Sequence, residues 1–170
     1  RIYFSDPRYV GDEPRELERE SVYRIEGPGS VSCAVDDVDQ PNGLAVSPDG
    51  ALLYVSDTAA RKLYAYRLAG AGKLRRERIV FDFAPGRAID GLEVDRRGII
   101  YGAAGEGERS GVYAISPAGE LLEFIPVSET ATNCAFGGLD GRSLYITAGK
   151  SLYRIAVETP GFAVFPASRR

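Results

Sequence analysis

The chain has 170 residues, 44% hydrophobic and 26% charged, enough apolar material for one domain with a real core. Lys and Arg number 21 against 24 Asp and Glu, a net charge of −3, so no basic field draws nucleic acid or an anionic membrane. Histidine is absent, which excludes His-based triads, His metal sites and His general bases from the chemistry of this chain.

Twenty Gly and ten Pro, with no Met and no Trp, point to short strands and many turns. The chain opens on a strand, IYFSD from Ile2, followed by a long polar loop from Asp6 to Ser21 and a second strand, SVYRI. Next comes GLAVS, a small apolar strand beginning at Gly43, then the tight turn SPDG and the strand LLYVSD, together a β-hairpin. KLYAYRL continues the meander. GLEVDRRGIIYGAAGE then repeats the hairpin, with GVYAIS after it. AFGGLDGRSLYITAGK and SLYRIA repeat it once more. Inner strands are expected near Gly43–Ser47, Gly91–Asp95 and Ala135–Gly138. The locally basic stretches RKLYAYR and KLRRER read as solvated faces. No run of 18 apolar residues occurs, so no membrane-spanning helix is expected.

The hairpins are copies. Tyr3, Tyr54, Tyr101 and Tyr145 hold the same place in each and are separated by 51, 47 and 44 residues. A four-strand unit recurring every 40 to 50 residues marks a β-propeller blade. The fold class is all-β, and residues 1–170 form one domain, a partial propeller. Three quarters of a blade, two whole blades and a last blade of about four strands, ending near Phe165, are expected. Propellers close their ring with roughly four to eight blades, so further N-terminal blades are expected to complete it. On that expectation a leader peptide cannot be judged, and the compartment stays open between cytoplasmic and exported.

Three polar residues stand just before the inner strands: Asn42 in QPNGLAV, Asp90 in AIDGLEV and Asn133 in ATNCAFG, 48 and 43 residues apart. In a propeller those positions ring the mouth of the central channel. Asn and Asp before a strand also make Asx turns, and NG and DG are common turn dipeptides. Three in register around one axis favour the other reading, a set of hard oxygen ligands for Ca²⁺ or a similar divalent cation. Asp90 is the one acid among them and the natural proton acceptor.

The loop from Asp6 to Ser21 opens on the same face and bears Arg8, Tyr9, Arg15 and Glu16, candidates for binding a hydroxyl-rich substrate or simply a solvated loop. GEGERSG and the TAGKS turn with Lys150 are further candidates, whereas Asp57 in VSDT is expected to cap its own turn. Cys33 and Cys134 have no CxxC partner and read as buried thiols or a disulfide.

PNGLAVSPDGALLYVSDT, AIDGLEVDRRGIIYGAA, TNCAFGG and LYITAGKSLYRI together resemble the gluconolactonase and regucalcin (senescence marker protein) family, over nearly the whole chain. The resemblance implies a six-bladed propeller, of which this chain covers about the last three and three-quarter blades. It also implies one divalent cation at the channel mouth and hydrolysis of an aldonolactone. Ca²⁺ is the first choice of cation, with Zn²⁺, Mg²⁺ and Mn²⁺ as alternatives. It implies that Asn42 and Asp90 are metal ligands and that Asp90 is also the base. The family's remaining ligands, a glutamate of the first blade and an upstream asparagine, would precede Arg1. Asn133 holds a position that is not a ligand in every relative. A calcium-dependent esterase, a strictosidine-synthase-like propeller and a non-catalytic binding propeller share the fold and remain alternatives.

Overall fold

The computed structural model describes residues 1–12, 14, 16–70 and 72–163. Four antiparallel sheets follow one another along the chain, each a simple meander. The first holds β1 (Ile2–Asp6), β2 (Ser21–Gly27) and β3 (Ser30–Val35). The second holds β4 (Pro41–Val46), β5 (Leu52–Asp57), β6 (Lys62–Arg67) and β7 (Arg75–Asp82). The third holds β8 (Leu92–Val94), β9 (Ile100–Ala104), β10 (Gly111–Ile115) and β11 (Leu121–Pro126), and the fourth β12 (Ala131–Gly137), β13 (Ser143–Ala148) and β14 (Ser151–Ala156). The one helical element among the described residues is a 3₁₀ turn, Gly107–Arg109.

The expected inner strands are β4, β8 and β12, and the repeated tyrosines fall on β1, β5, β9 and β13. The last blade has three strands among the described residues. After Ala156 the chain passes to the end of β8, where Gly161 bridges to Asp95 and the Phe162 N–H donates to the Val94 carbonyl at 2.9 Å. Phe165 lies outside the described residues.

Period-two alternation builds a separate core between each pair of neighbouring sheets. On β5 and β6, Leu53, Val55, Tyr64 and Tyr66 face Val22 and Val35 of the first sheet. Their alternates Tyr54, Leu63 and Ala65 face Ile89, Leu92 and Ile100 of the third. On β9 the pattern continues: Ile100 and Ala104 look back, while Tyr101 and Ala103 meet Cys134, Leu144 and Ile146 of the fourth. A blade covered on both faces therefore reads as a nearly continuous apolar run, as LLYVS does. Each Leu or Val so buried contributes about 1.5–3 kcal/mol.

Among the described residues, the two terminal sheets each keep an uncovered face. Ile2 on β1 is 63% exposed and Leu152 on β14 is 68% exposed. Tight turns close the hairpins at the end opposite the channel mouth. In SPDG the Gly50 N–H donates to the Ser47 carbonyl at 2.8 Å, with Gly50 at φ +69°, a left-handed conformation that glycine adopts freely.

Candidate metal and active site at the channel mouth

At the mouth each inner strand carries an irregularity. Pairing of β4 with β5 shifts between Pro41 and Leu44, which places Asn42 and Gly43 in a bulge. Ahead of β8, Asp90 and Gly91 both bond to Ala103: the Asp90 N–H donates to its carbonyl at 2.8 Å and its N–H donates to the Gly91 carbonyl at 2.9 Å. Pairing of β12 with β13 shifts between Ala131 and Asn133. An extra residue kinks a strand and re-aims its side chain. Irregularities of this kind stand at or beside Asn42, Asp90 and Asn133.

The three are brought together. Asn42 Nδ2 donates to Asp90 Oδ1 at 3.0 Å, a direct link between two blades 48 residues apart in sequence. Asn133 lies against the backbone of Gly91, where an added Cβ would stand 2.0 Å from its Oδ1, and that Oδ1 accepts the Cys134 N–H at 2.8 Å. The Gly91 N–H donates to the Thr132 carbonyl at 2.9 Å, joining the inner ends of the third and fourth blades. Among the described residues, the Asn42 side chain bonds across to the next blade rather than within a turn of its own.

The glycines of PNGL and IDGL have a different origin from the turn chemistry their dipeptides imply. Neither has a positive φ. A Cβ on Gly43 would stand 2.4 Å from the Asp90 carbonyl oxygen, so close approach of adjacent inner strands demands glycine there.

Asp57 caps its own turn as expected, accepting the Ala60 N–H at 3.1 Å, and it does more. Its buried carboxylate also accepts the N–H groups of Asp39 at 2.9 Å and Gln40 at 3.2 Å, fixing the chain that enters β4 just before Asn42. Gln40 Nε2 in turn donates to the Arg8 carbonyl at 3.0 Å and ties down the long loop.

Within that loop the substrate candidates separate. Tyr9 stands by the site: burial raises its hydroxyl pKa, a contact with Thr58 opposes that, and the charges of Asp90 and Glu20 raise it further. Arg8 and Glu16 line a neighbouring cavity of about 390 Å³ with Asp6 and Glu20, and an Arg8 guanidinium N–H donates to the Gly11 carbonyl. Arg15 lies outside the described residues. In the TAGKS turn, the Lys150 N–H donates to Glu129 Oε2 at 2.8 Å.

One residue at the mouth escaped the sequence reading. Arg87, three positions before Asp90, places Nη1 3.4 Å from Asp90 Oδ2. No motif marks it, because its role depends on two blades meeting. Both cysteines are free thiols, and burial pushes Cys134 up to about 12.

As a donor set, one carboxylate and two carboxamides suit a hard cation that takes oxygen ligands. Among the described residues there is no group of three or more His, Cys, Asp or Glu that could hold a metal, so a cation here would rely on the amides and on further oxygens. The Asn42 amide turns its nitrogen to Asp90 and would have to rotate to offer oxygen instead.

Sheets stacked about an axis, with bulged inner strands presenting Asn, Asp and Asn at one end, define a β-propeller with a polar channel-mouth site. The chain belongs to a known family of that architecture: residues 1–150 match the SMP-30/Gluconolactonase/LRE-like region. It is 30% identical to the gluconolactonase of Zymomonas mobilis over 178 aligned residues, covering 94% of this chain and 48% of that protein. Among solved structures, a gluconolactonase from Xanthomonas campestris superposes with a TM-score of 0.76 at 34% identity, covering 94% of this chain and 52% of that one. A calcium-binding protein, regucalcin, from Agrobacterium tumefaciens shares the fold, with a TM-score of 0.67 at 22% identity over 85% of this chain and 56% of that one. The chain spans about half the length of the relatives it matches. Among the described residues no helix is long and apolar enough to cross a membrane.

Proposed function

We propose that the protein bearing this chain hydrolyses a sugar lactone at the channel mouth, with Asp90 as general base. The observation that carries this reading is the convergence of three blades on one point, where Asn42 bonds directly to Asp90 and Asn133 packs on Gly91. The gluconolactonases among its relatives support the substrate class.

A lactone is a cyclic ester. Asp90 takes a proton from water as the water oxygen bonds to the carbonyl carbon. The ring C–O bond then breaks, the ring oxygen takes that proton back from Asp90 and leaves as a hydroxyl, and an aldonic acid results with the Asp90 carboxylate restored. Proton transfer to a placed carboxylate contributes about 10²–10⁴-fold. Asn42, Asp90 and Asn133 would hold one divalent cation, Ca²⁺ first because the donors are all hard oxygens, with Zn²⁺, Mg²⁺ and Mn²⁺ as alternatives. When bound, the cation supplies Lewis acidity toward the carbonyl and its developing negative charge. Tyr9, whose hydroxyl feels the Asp90 charge, would contact a substrate hydroxyl, and Arg8 and Glu16 at the neighbouring cavity would bind it further, with Arg15 proposed beside them from its place in the sequence. Further N-terminal blades would close the ring and add the remaining ligands.

The test is acid release from an aldonolactone across a Ca²⁺ titration. Asp90→Asn is nearly isosteric and keeps the fold, yet is expected to lose about 10²–10⁴-fold in turnover even at saturating cation. Asn42→Ala keeps the base, so excess cation restores much of its rate. Near wild-type turnover by Asp90→Asn at saturating cation would remove the general base from this mechanism.

A further inference from the structure

Arg87 is held more tightly than a surface cation. Its Nε donates to the Gly105 carbonyl at 3.0 Å, beyond the end of β9, and Nη2 donates to the Ala131 carbonyl at the start of β12. The Gly105 N–H returns a bond to the Arg87 carbonyl at 3.0 Å. Two blades thus grip one planar guanidinium, and its third nitrogen, Nη1, is left facing Asp90 Oδ2 at 3.4 Å. A lysine has one ammonium and could not keep both carbonyls and the carboxylate.

The two Asp90 oxygens consequently differ. Oδ1 faces the Asn42 amide, on the side where the other candidate ligands stand, and Oδ2 faces Arg87. Carboxylates ligate divalent cations through one oxygen or through both. A fixed positive charge beside Oδ2 opposes the rotation that would turn both oxygens to a cation.

We propose that Arg87 is a positioning residue that keeps Asp90 Oδ2 off the cation, so that Oδ1 alone serves as ligand and the carboxylate keeps one fixed orientation toward the reacting water. This rests on the cation-assisted lactonase reading above. It has a signature that a merely structural residue lacks: losing Arg87 moves cation affinity and turnover in opposite directions. In Arg87→Gln the carboxylate is free to offer both oxygens and the neighbouring charge is gone, so Ca²⁺ binds more tightly, by about 3–10-fold. Turnover nevertheless falls, by about 10–100-fold, because the proton acceptor is misplaced. Arg87→Lys returns the charge without the fork and falls between the two on both readouts.

The experiment measures Ca²⁺ binding by titration calorimetry and gluconolactone hydrolysis by acid release, on wild type and both variants, with a thermal melt for each. Tighter Ca²⁺ with slower turnover in Arg87→Gln supports the assignment. Weaker Ca²⁺ together with slower turnover, or no change in either, overturns it. If Arg87→Gln fails to fold, Arg87→Lys decides: Ca²⁺ affinity below wild type with slower turnover counts against the proposal. A wild-type protein that neither binds Ca²⁺ nor hydrolyses lactone defeats the underlying reading, an outcome distinct from wild-type binding with same-direction losses in the variants.

Discussion

Replacing Gly43 by alanine probes the site through the backbone without touching a polar group. The new Cβ would stand 2.4 Å from the Asp90 carbonyl oxygen and 2.5 Å from Leu92 Cδ2. The leucine methyl can turn aside, but the carbonyl belongs to the chain just ahead of β8 and cannot. Restoring ordinary van der Waals separation requires the two inner strands to part by about 1 Å. The 3.0 Å bond between Asn42 Nδ2 and Asp90 Oδ1 then stretches beyond hydrogen-bonding range. Overpacking of this kind costs about 1–3 kcal/mol of stability. A 1 Å displacement within a catalytic constellation costs about 10²-fold in rate. The control is Gly50→Ala, at the opposite end of the hairpin, where φ is +69° and nothing lies within 4 Å of the new Cβ. Its left-handed backbone gives a comparable loss of about 1–2 kcal/mol without disturbing the mouth. Urea midpoints and initial rates of lactone hydrolysis, measured on both variants, separate the two effects. Both should lose similar stability, and only Gly43→Ala should lose activity. Turnover by Gly43→Ala within threefold of wild type would refute the claim that close approach of the inner strands sets the site.

The thiols should react unequally. With Cys134 buried and pushed up to about 12, and Cys33 half-buried, a disulfide reagent at pH 8 should modify at most Cys33 in the native state and both after unfolding; rapid native reaction of both would contradict the packing between the third and fourth blades. The chain Arg1–Arg170 expressed by itself should dimerise or aggregate through its terminal sheets, where Ile2 is 63% and Leu152 68% exposed. Light scattering showing a monodisperse monomer with a sharp cooperative melt would count against that expectation.

Much of this architecture is legible in the sequence because its causes are local. A strand covered on both faces must be apolar throughout, a tight turn needs glycine where φ is positive, and four copies of one hairpin announce the repeat. Those rules located β4, β8 and β12 and singled out Asn42, Asp90 and Asn133 from their place in the repeat. The meaning of their neighbours was not local. Asn42–Gly43 and Asp90–Gly91 read as turn dipeptides, yet the glycines are there because the next blade arrives against them. The irregularities beside these side chains show only in how neighbouring strands pair. Asp57 was expected to cap one turn, but it also fastens the approach to β4, eighteen residues earlier in the chain. Arg87 gave no sequence signal, since its partners at Gly105 and Ala131 lie in different blades. Composition and periodicity determine which residues enter strands and which end of a blade carries oxygen. Only the stacking of one blade on another decides how those oxygens are held, because the distances between blades are set by contacts that no single repeat contains.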